Sequence, residues 1–323
     1  MIALAALLAF AEPPGDVSLV FGGDVAFGRV VAGEIATIGG DAPLAGIAPL
    51  LAGADLAVVN LECALFDGIP PTGRPGEIRH IARTSEADAL ALAGVDLVSL
   101  ANNHTLDAGL PGLATTADAL ARRNIEVVGA RFDAGGPSVH EQVVVRAVRG
   151  LRVAFIAATD RLSPNAAPED LAHVAFTPSR RWPTALPGRV RAIASSGTAD
   201  VIIVLVHWGV ELVPTPSRAQ RALARALIDA GARVVVGHHA HVVQEVERHA
   251  DGVVFYSLGN LLFDMSDPRT RTGALAHVRL DASGHLRQVE LIPTAAGDDD
   301  APIRADRSPA SDTHTPSHAA RPR

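Results

Sequence analysis

The chain has 323 residues, 48% of them apolar and 20% charged, the composition of a folded protein with a sizeable core and not of a disordered one. Its formal net charge of −7, with every Lys-or-Arg position filled by arginine, offers no basic patch to replace phosphate counterions, so no nucleic-acid partner is expected. Cys63 is the single cysteine, which excludes an intrachain disulfide and is expected to be a small buried hydrophobe beside Glu62.

Met1–Ala11 is an unbroken apolar run followed by Glu12-Pro13-Pro14. Residues 1–16 therefore read as the core of a clipped signal peptide or as a buried N-terminal segment, too short for the ~20 residues that cross a bilayer. An extracytoplasmic or cell-envelope location is the expectation. Apolar, β-branched runs then predict buried strands at Val17–Gly22 and Leu56–Val59, with a helix over Ser85–Ala93, a strand over Val95–Leu100 and a helix over Leu113–Arg123. Gln142–Val148 and Leu151–Ala157 read as a hairpin turning at Arg149-Gly150, and the proline-containing stretch Ser163–Pro187 as a long loop. A strand over Val201–Val206, a helix over Arg218–Ala230 and strands over Arg233–Val236 and Val253–Tyr256 follow. A hairpin of Ala274–Leu280 and Leu286–Ile292, turning at Ser283-Gly284, comes last. Strand–helix alternation implies parallel pairing with helices on the sheet faces, and the hairpins imply antiparallel additions, so an α/β fold of two mixed sheets is expected. One domain over 17–294 is anticipated. The final stretch, 295–323, turns to Asp, Ala, Pro, Ser, Thr and His without periodicity and reads as a disordered tail, with His314 and His318 solvated in it.

Polar residues fall where the predicted strands end. Asp24 follows the first run; Asn60 and Glu62 the second; Asn102, Asn103 and His104 the third; His207 and Trp208 the fourth; Gly237 to His241 the fifth; Ser257 and Asn260 the sixth. Loops at the carboxyl ends of α/β strands form the ligand crevice. Carboxylates, imidazoles and an amide there suit zinc, manganese or iron, whereas calcium takes oxygen ligands alone. Each piece has a plain alternative: Gly-Asp is a common turn or cap, and Asn102-Asn103-His104 a capping turn. His238-His239-Ala240-His241 is the strongest single signal, because imidazoles two residues apart on an extended strand end share one side. His80, His140, His173, His249, His277 and His285 lack such company and read as surface or core residues.

Gly23-Asp24-Val25, Asn60-Leu61-Glu62, Ala101-Asn102-Asn103-His104 with Leu106-Asp107-Ala108-Gly109, His207-Trp208-Gly209, Gly237-His238-His239-Ala240-His241-Val242 and Tyr256-Ser257-Leu258-Gly259-Asn260 occur in this order. Together they resemble the CapA family of poly-γ-glutamate capsule synthesis proteins, over about Val17–Asp264. That resemblance implies a four-layer α-β-β-α sandwich like the calcineurin-like metallophosphoesterases, holding one or two divalent ions of manganese, zinc or iron. It also implies ligand positions at Asp24, Glu62 (bridging), Asn103, His207, His239 and His241, with His104 contacting substrate and protonating a leaving group; the His-x-His spacing favours His239 over His238. Crevice contacts are expected from Asn60, Asn102, Trp208, Glu211, His238, Ser257 and Asn260, with Glu211 alternatively holding a histidine and Asn260 tying two loops together. The phosphoesterase pattern is broken twice, since Asp24-Val25-Ala26 lacks the Asp-x-His histidine and Asn60-Leu61-Glu62 replaces Gly-Asp, so one ion would have a ligand fewer. The implied function is a metal-dependent hydrolase or transferase acting on polyglutamate, another envelope polymer or a phosphoester, alongside capsule-synthesis membrane proteins. The alternative is a non-catalytic polymer-binding or export partner using the same crevice.

Overall fold

The computed structural model describes residues 15–28, 43–71, 78–132, 138–161, 166, 170–296 and 302–304. The apolar segment at 1–14 and most of the tail expected from 295 lie outside them. The start of that tail is corrected: the strand Leu286–Ala296 runs through its first two residues, and Pro302–Arg304 pair with it as a further strand.

In chain order the strands are β1 (Val17–Val25), β2 (Leu56–Leu61), β3 (Ala64–Leu65), β4 (Ile81–Ala82), β5 (Leu97–Ser99), β6 (Glu126–Val128), β7 (Val144–Val148) and β8 (Leu151–Thr159). They continue as β9 (Val201–His207), β10 (Val234–His238), β11 (Val246–His249), β12 (Gly252–Phe255), β13 (Asn260–Leu262), β14 (Thr272–Leu280), β15 (Leu286–Ala296) and β16 (Pro302–Arg304). The helices are α1 (Ala48–Leu51), α2 (Ala87–Leu92), α3 (Gly109–Ala121), α4 (Trp182–Ser196) and α5 (Arg218–Asp229). One sheet has the order β16-β15-β14-β1-β2-β5-β6, with β13 also against β1; the other runs β11-β12-β10-β9-β8-β7. β1, β2, β5 and β6 are parallel, as are β8, β9, β10 and β12, while β7–β8 and β14–β15 are the antiparallel hairpins. This is a mixed α/β fold of two principal sheets.

Alternation along each strand decides what packs where. Leu19, Phe21 and Val58 of the first sheet meet Phe155, Ile203, Leu205 and Val236 of the second in one apolar cluster. Their neighbours Val20, Val59 and Val98 face α1, α2 and α3. Ile202, Val204 and Val235 face α4 and α5. Full burial of each such side chain contributes roughly 1.5–3 kcal/mol.

The loop expected over Ser163–Pro187 is corrected at its end, where α4 begins at Trp182 and runs through Pro187. Pro183 in the first turn needs no N–H partner, and Trp182, Leu186, Val190 and Ile193 repeat at helical spacing on the buried face. The missing hydrogen bond at Pro187 is offset by that burial. α5 is fixed by a capping box in which Ser217 Oγ accepts from Gln220 N (3.2 Å) and Gln220 Oε1 accepts from Ser217 N (2.9 Å). Among the described residues no helix is long and apolar enough to cross a membrane.

Parallel pairing brings the carboxyl ends of β1, β2, β5, β9 and β10 together. Gly23 lets the end of β1 meet the loop before β13: a Cβ there would stand 2.0 Å from Gly259 O, the atom that accepts from Asp24 N at 3.0 Å. Gly23→Ala should therefore lower stability by ~2–3 kcal/mol through forced backbone displacement, read as a drop in melting temperature. Gly188→Ala in α4, where a Cβ meets nothing within 4 Å, should instead be neutral or stabilising by up to ~1 kcal/mol.

Candidate metal centre

Asp24 and Asn60 end neighbouring strands in register, and β13 adds Asn260 on the other side of Asp24. Asn60 Nδ2 donates to Asp24 Oδ1 at 2.8 Å and lies 3.4 Å from Glu62 Oε2 and 3.3 Å from His207 Nδ1. Asn102 Nδ2 donates to Asn60 Oδ1 (3.2 Å) and to Leu61 O (2.8 Å), while its Oδ1 accepts from His104 N and Thr105 Oγ1. The two asparagines thus lock the ends of β2 and β5 together instead of presenting free amides.

Around this frame, Glu62, His239 and His241 offer ligand atoms all within 4.8 Å of one another, and so do Asp24, Glu62 and His207. Glu62 belongs to both groups. Its Oε1 stands 3.4 Å from His207 Nε2 and 3.9 Å from His241 Nε2 yet accepts no hydrogen bond, and it is fully buried. His239 Nδ1 is likewise buried without a partner. Asn103 Oδ1 joins the cluster 2.7 Å from His207 Nε2.

His239 and His241 reach the cluster by a route other than the extended backbone expected from the sequence. Their φ angles are +89° and +55°, in the left-handed region that costs an L residue roughly 1–3 kcal/mol. His239 N donates to Asp24 Oδ2 at 3.2 Å, and His241 Nδ1 is paired with Asn260 Oδ1 at 2.8 Å. His238 ends β10 and turns its ring across to β1, with Nε2 3.3 Å from Gly22 O, outside both ligand groups.

Charge is expensive here. Burial, then the neighbouring Glu62 charge, lifts the Asp24 carboxyl to about 6, and burial raises Glu62 as well. Burial, reinforced by nearby cationic groups, holds His207 and His239 well below the usual histidine range, so both are neutral, the form that ligates a metal. Burial by itself would lower His241, but the Glu62 and Asp24 carboxylates overcome it and the net direction is upward. Burial also pushes the Cys63 thiol to about 12, which leaves it inert.

His104 sits at the edge of the cluster. Its Nδ1 pairs with Asp107 Oδ2 at 2.6 Å, and that same oxygen accepts from His80 N at 2.6 Å. Burial opposes protonation of His104, the Asp107 hydrogen bond and charge favour it, and the net direction is upward. His80, expected from the sequence to be a surface or core residue, packs its ring edge-on against His104 at 4.3 Å between centroids. Asp107, which the motif contains without a role attached, is the group that orients His104.

Two expected crevice residues are corrected. Trp208 is 1% exposed and packs among α4 and α5, donating Nε1–H to Tyr256 O at 3.0 Å. It follows His207 directly, so strand alternation sends it to the opposite face. Ser257 is buried and its Oγ accepts from Gly259 N at 3.2 Å, capping the turn. Asn260 holds His241 and donates to Thr270 O at 3.3 Å, so it ties loops together while orienting a histidine. Glu211 is exposed at the rim, where its charge favours protonation of His104 and His241. Arg161, which no motif announced, lies past the end of β8 and its charge reaches His207 and His239.

Fold and site together define an α/β protein with a buried carboxylate–imidazole cluster at its strand ends, composed as divalent-metal sites are. Residues 18–265 match the profile described as "Bacterial capsule synthesis protein PGA_cap", and the chain belongs to that family. It is 29% identical over 282 residues to the PGA biosynthesis protein CapA of Bacillus subtilis (strain 168), covering 86% of this chain and 71% of that protein. It is 32% identical over 268 residues to the capsule biosynthesis protein CapA of Bacillus anthracis, covering 81% of this chain and 63% of that one, so it spans less than two thirds of the latter's length. Among solved structures, a hypothetical protein from Thermus thermophilus is similar in fold, with a TM-score of 0.52 and 18% identity over 86% of this chain and 98% of that one.

Proposed function

We propose that this chain acts in the synthesis of poly-γ-glutamate capsule or a related cell-envelope polymer as a divalent-metal-dependent hydrolase or transferase, with the strand-end cluster as its reaction centre. The observation that carries this reading is the pair of buried, unpartnered ligand atoms, Glu62 Oε1 and His239 Nδ1, set among neutral histidines. Orphaned buried polar atoms are costly unless a ligand completes them. The names of the two Bacillus relatives supply the substrate context. The three apolar layers support a four-layer α-β-β-α sandwich of the calcineurin-like metallophosphoesterase kind.

Glu62, His239 and His241 would hold one ion, and Asp24, Glu62, His207 and Asn103 a second, with Glu62 shared; manganese, zinc or iron suits this donor set. What such an ion supplies when bound is Lewis acidity toward the reacting carbonyl or phosphoryl group and activation of water at neutral pH. Asp24 and Glu62 keep the site anionic enough to retain cations. Asn60 and Asn102 hold the two carboxylates and the His104 loop in register. His104, with Nδ1 fixed by Asp107, carries a proton on Nε2 for the leaving nitrogen or oxygen as its bond to carbon or phosphorus breaks. A protein that only bound polymer would have no use for an acid oriented in this way. An extracytoplasmic setting beside capsule-synthesis membrane proteins completes the reading.

His104→Ala is expected to lower kcat on γ-linked glutamate oligomers or phosphoesters by ~10²–10⁴-fold with metal content unchanged by elemental analysis. Equal turnover in the variant would remove His104 as the acid. Stoichiometric metal and tight polymer binding without turnover in wild type would favour the non-catalytic polymer-binding or export partner.

A further inference from the structure

Arg161 stands two residues past Thr159, the last residue of β8, and Thr159 is paired in register with His207. Its backbone is tied to that strand end: Arg161 N donates to Thr159 Oγ1 at 3.0 Å, and Thr159 Oγ1 donates to His207 O at 3.1 Å. Its Nη2 donates to Gly209 O on the loop that follows His207. Nε is ion-paired with Asp160 Oδ1 at 3.1 Å. About a third of the side chain, 35%, remains exposed. The guanidinium is therefore held by the Gly209 carbonyl at Nη2 and the Asp160 carboxylate at Nε, with the other terminal N–H groups left over, beside the strand end that carries His207 and open to solvent on one side.

We propose that Arg161 is a specificity-determining residue that binds an anionic group of the substrate beside the centre, namely the free α-carboxylate of the γ-linked glutamate residue that supplies the reacting carbonyl. This rests on the capsule-polymer reading of the site. A γ-linked glutamate chain carries one free carboxylate on every residue, so any of its amide bonds presented to the cluster brings a carboxylate with it. The end of the planar guanidinium, Nη1 and the second hydrogen of Nη2, can pair with that group. A phosphoryl oxygen would present the same anionic chemistry, and the test separates the two.

Metal-loaded wild type, Arg161→Gln and Arg161→Lys are titrated calorimetrically with a γ-linked glutamate tetramer, with the same tetramer amidated at every α-carboxylate, and with inorganic phosphate. Metal content is measured on each sample. The expected result is a loss of ~10-fold or more in tetramer affinity for Arg161→Gln, partial recovery in Arg161→Lys, and weak binding of the amidated tetramer to all three. A structural role would weaken both tetramers alike. Wild-type affinity for the tetramer in Arg161→Gln with metal intact overturns the proposal. Loss of phosphate binding alone overturns the carboxylate assignment. If wild type holds no metal and Arg161→Gln still loses the tetramer, the metal reading fails and the assignment of Arg161 stands.

Discussion

Glu62→Gln is expected to have two effects of opposite sign: loss of bound metal and a more stable metal-free protein. Glu62 is common to both ligand groups, so converting one oxygen to an NH₂ removes a donor from each and turns a hydrogen-bond donor toward His207 or His241. Metal content should fall at least ~10-fold, since losing a ligand of this kind costs that much affinity or more. In the absence of metal, however, the Glu62 carboxylate is fully buried, with Oε1 unsatisfied and its pKa raised by burial. A neutral amide of the same shape relieves the cost of a poorly compensated buried charge, and ~1–3 kcal/mol of stability should return. Elemental analysis of the purified variant and thermal melts in excess chelator measure the two effects. A residue serving only the fold would give the reverse: lower stability and unaltered metal. Stoichiometric metal in Glu62→Gln would exclude Glu62 as a ligand.

The strand ends are legible because each apolar run stops abruptly at glycine or a polar residue, and parallel pairing then sets those stops side by side. Asp24, Asn60, Glu62, Asn103, His104, His207, His239 and His241 come together for that reason. Finer placement depends on alternation carried past the strand end: Ile203 and Leu205 face the other sheet while Ile202 and Val204 face the helices. Continued two residues further, that pattern separates His207 from Trp208. The helix α4 is hidden in the sequence by its prolines, although Trp182, Leu186, Val190 and Ile193 are spaced for it. His80 and Arg161 have no local signal. His80 is placed by a backbone hydrogen bond to Asp107, 27 residues away, and Arg161 by the pairing of β8 with β9. Two-residue strands such as β3 and β4 carry too little pattern to be seen at all.

Metal affinity should rise with pH from 5 through 7. Without metal, Asp24 keeps its proton up to about 6, and His241 stays protonated above the ordinary histidine range because Glu62 and Asp24 outweigh its burial. A cation must displace both protons, and each costs a decade of affinity per pH unit below the corresponding pKa. From pH 7 to pH 5 the apparent affinity should fall at least ~100-fold, measured by competition with a chelator of known proton linkage. The stability of the metal-free protein has a different sign for each class of group. Asp24 has a folded-state pKa raised from 3.8 to about 6, so its contribution is complete below the lower value and is lost as pH rises through the higher one, ~3 kcal/mol in all. His207 and His239 are depressed, so the unfolded chain takes up protons that the folded one refuses, and stability is lost as pH falls below about 6.5. Asp24→Asn separates the two classes: it should remove about one decade of the metal affinity's pH dependence and raise the metal-free melting temperature at pH 7 while leaving the acid-side loss from the histidines in place. Metal affinity that stays flat between pH 5 and 7 in wild type would mean that these groups do not hold the ion.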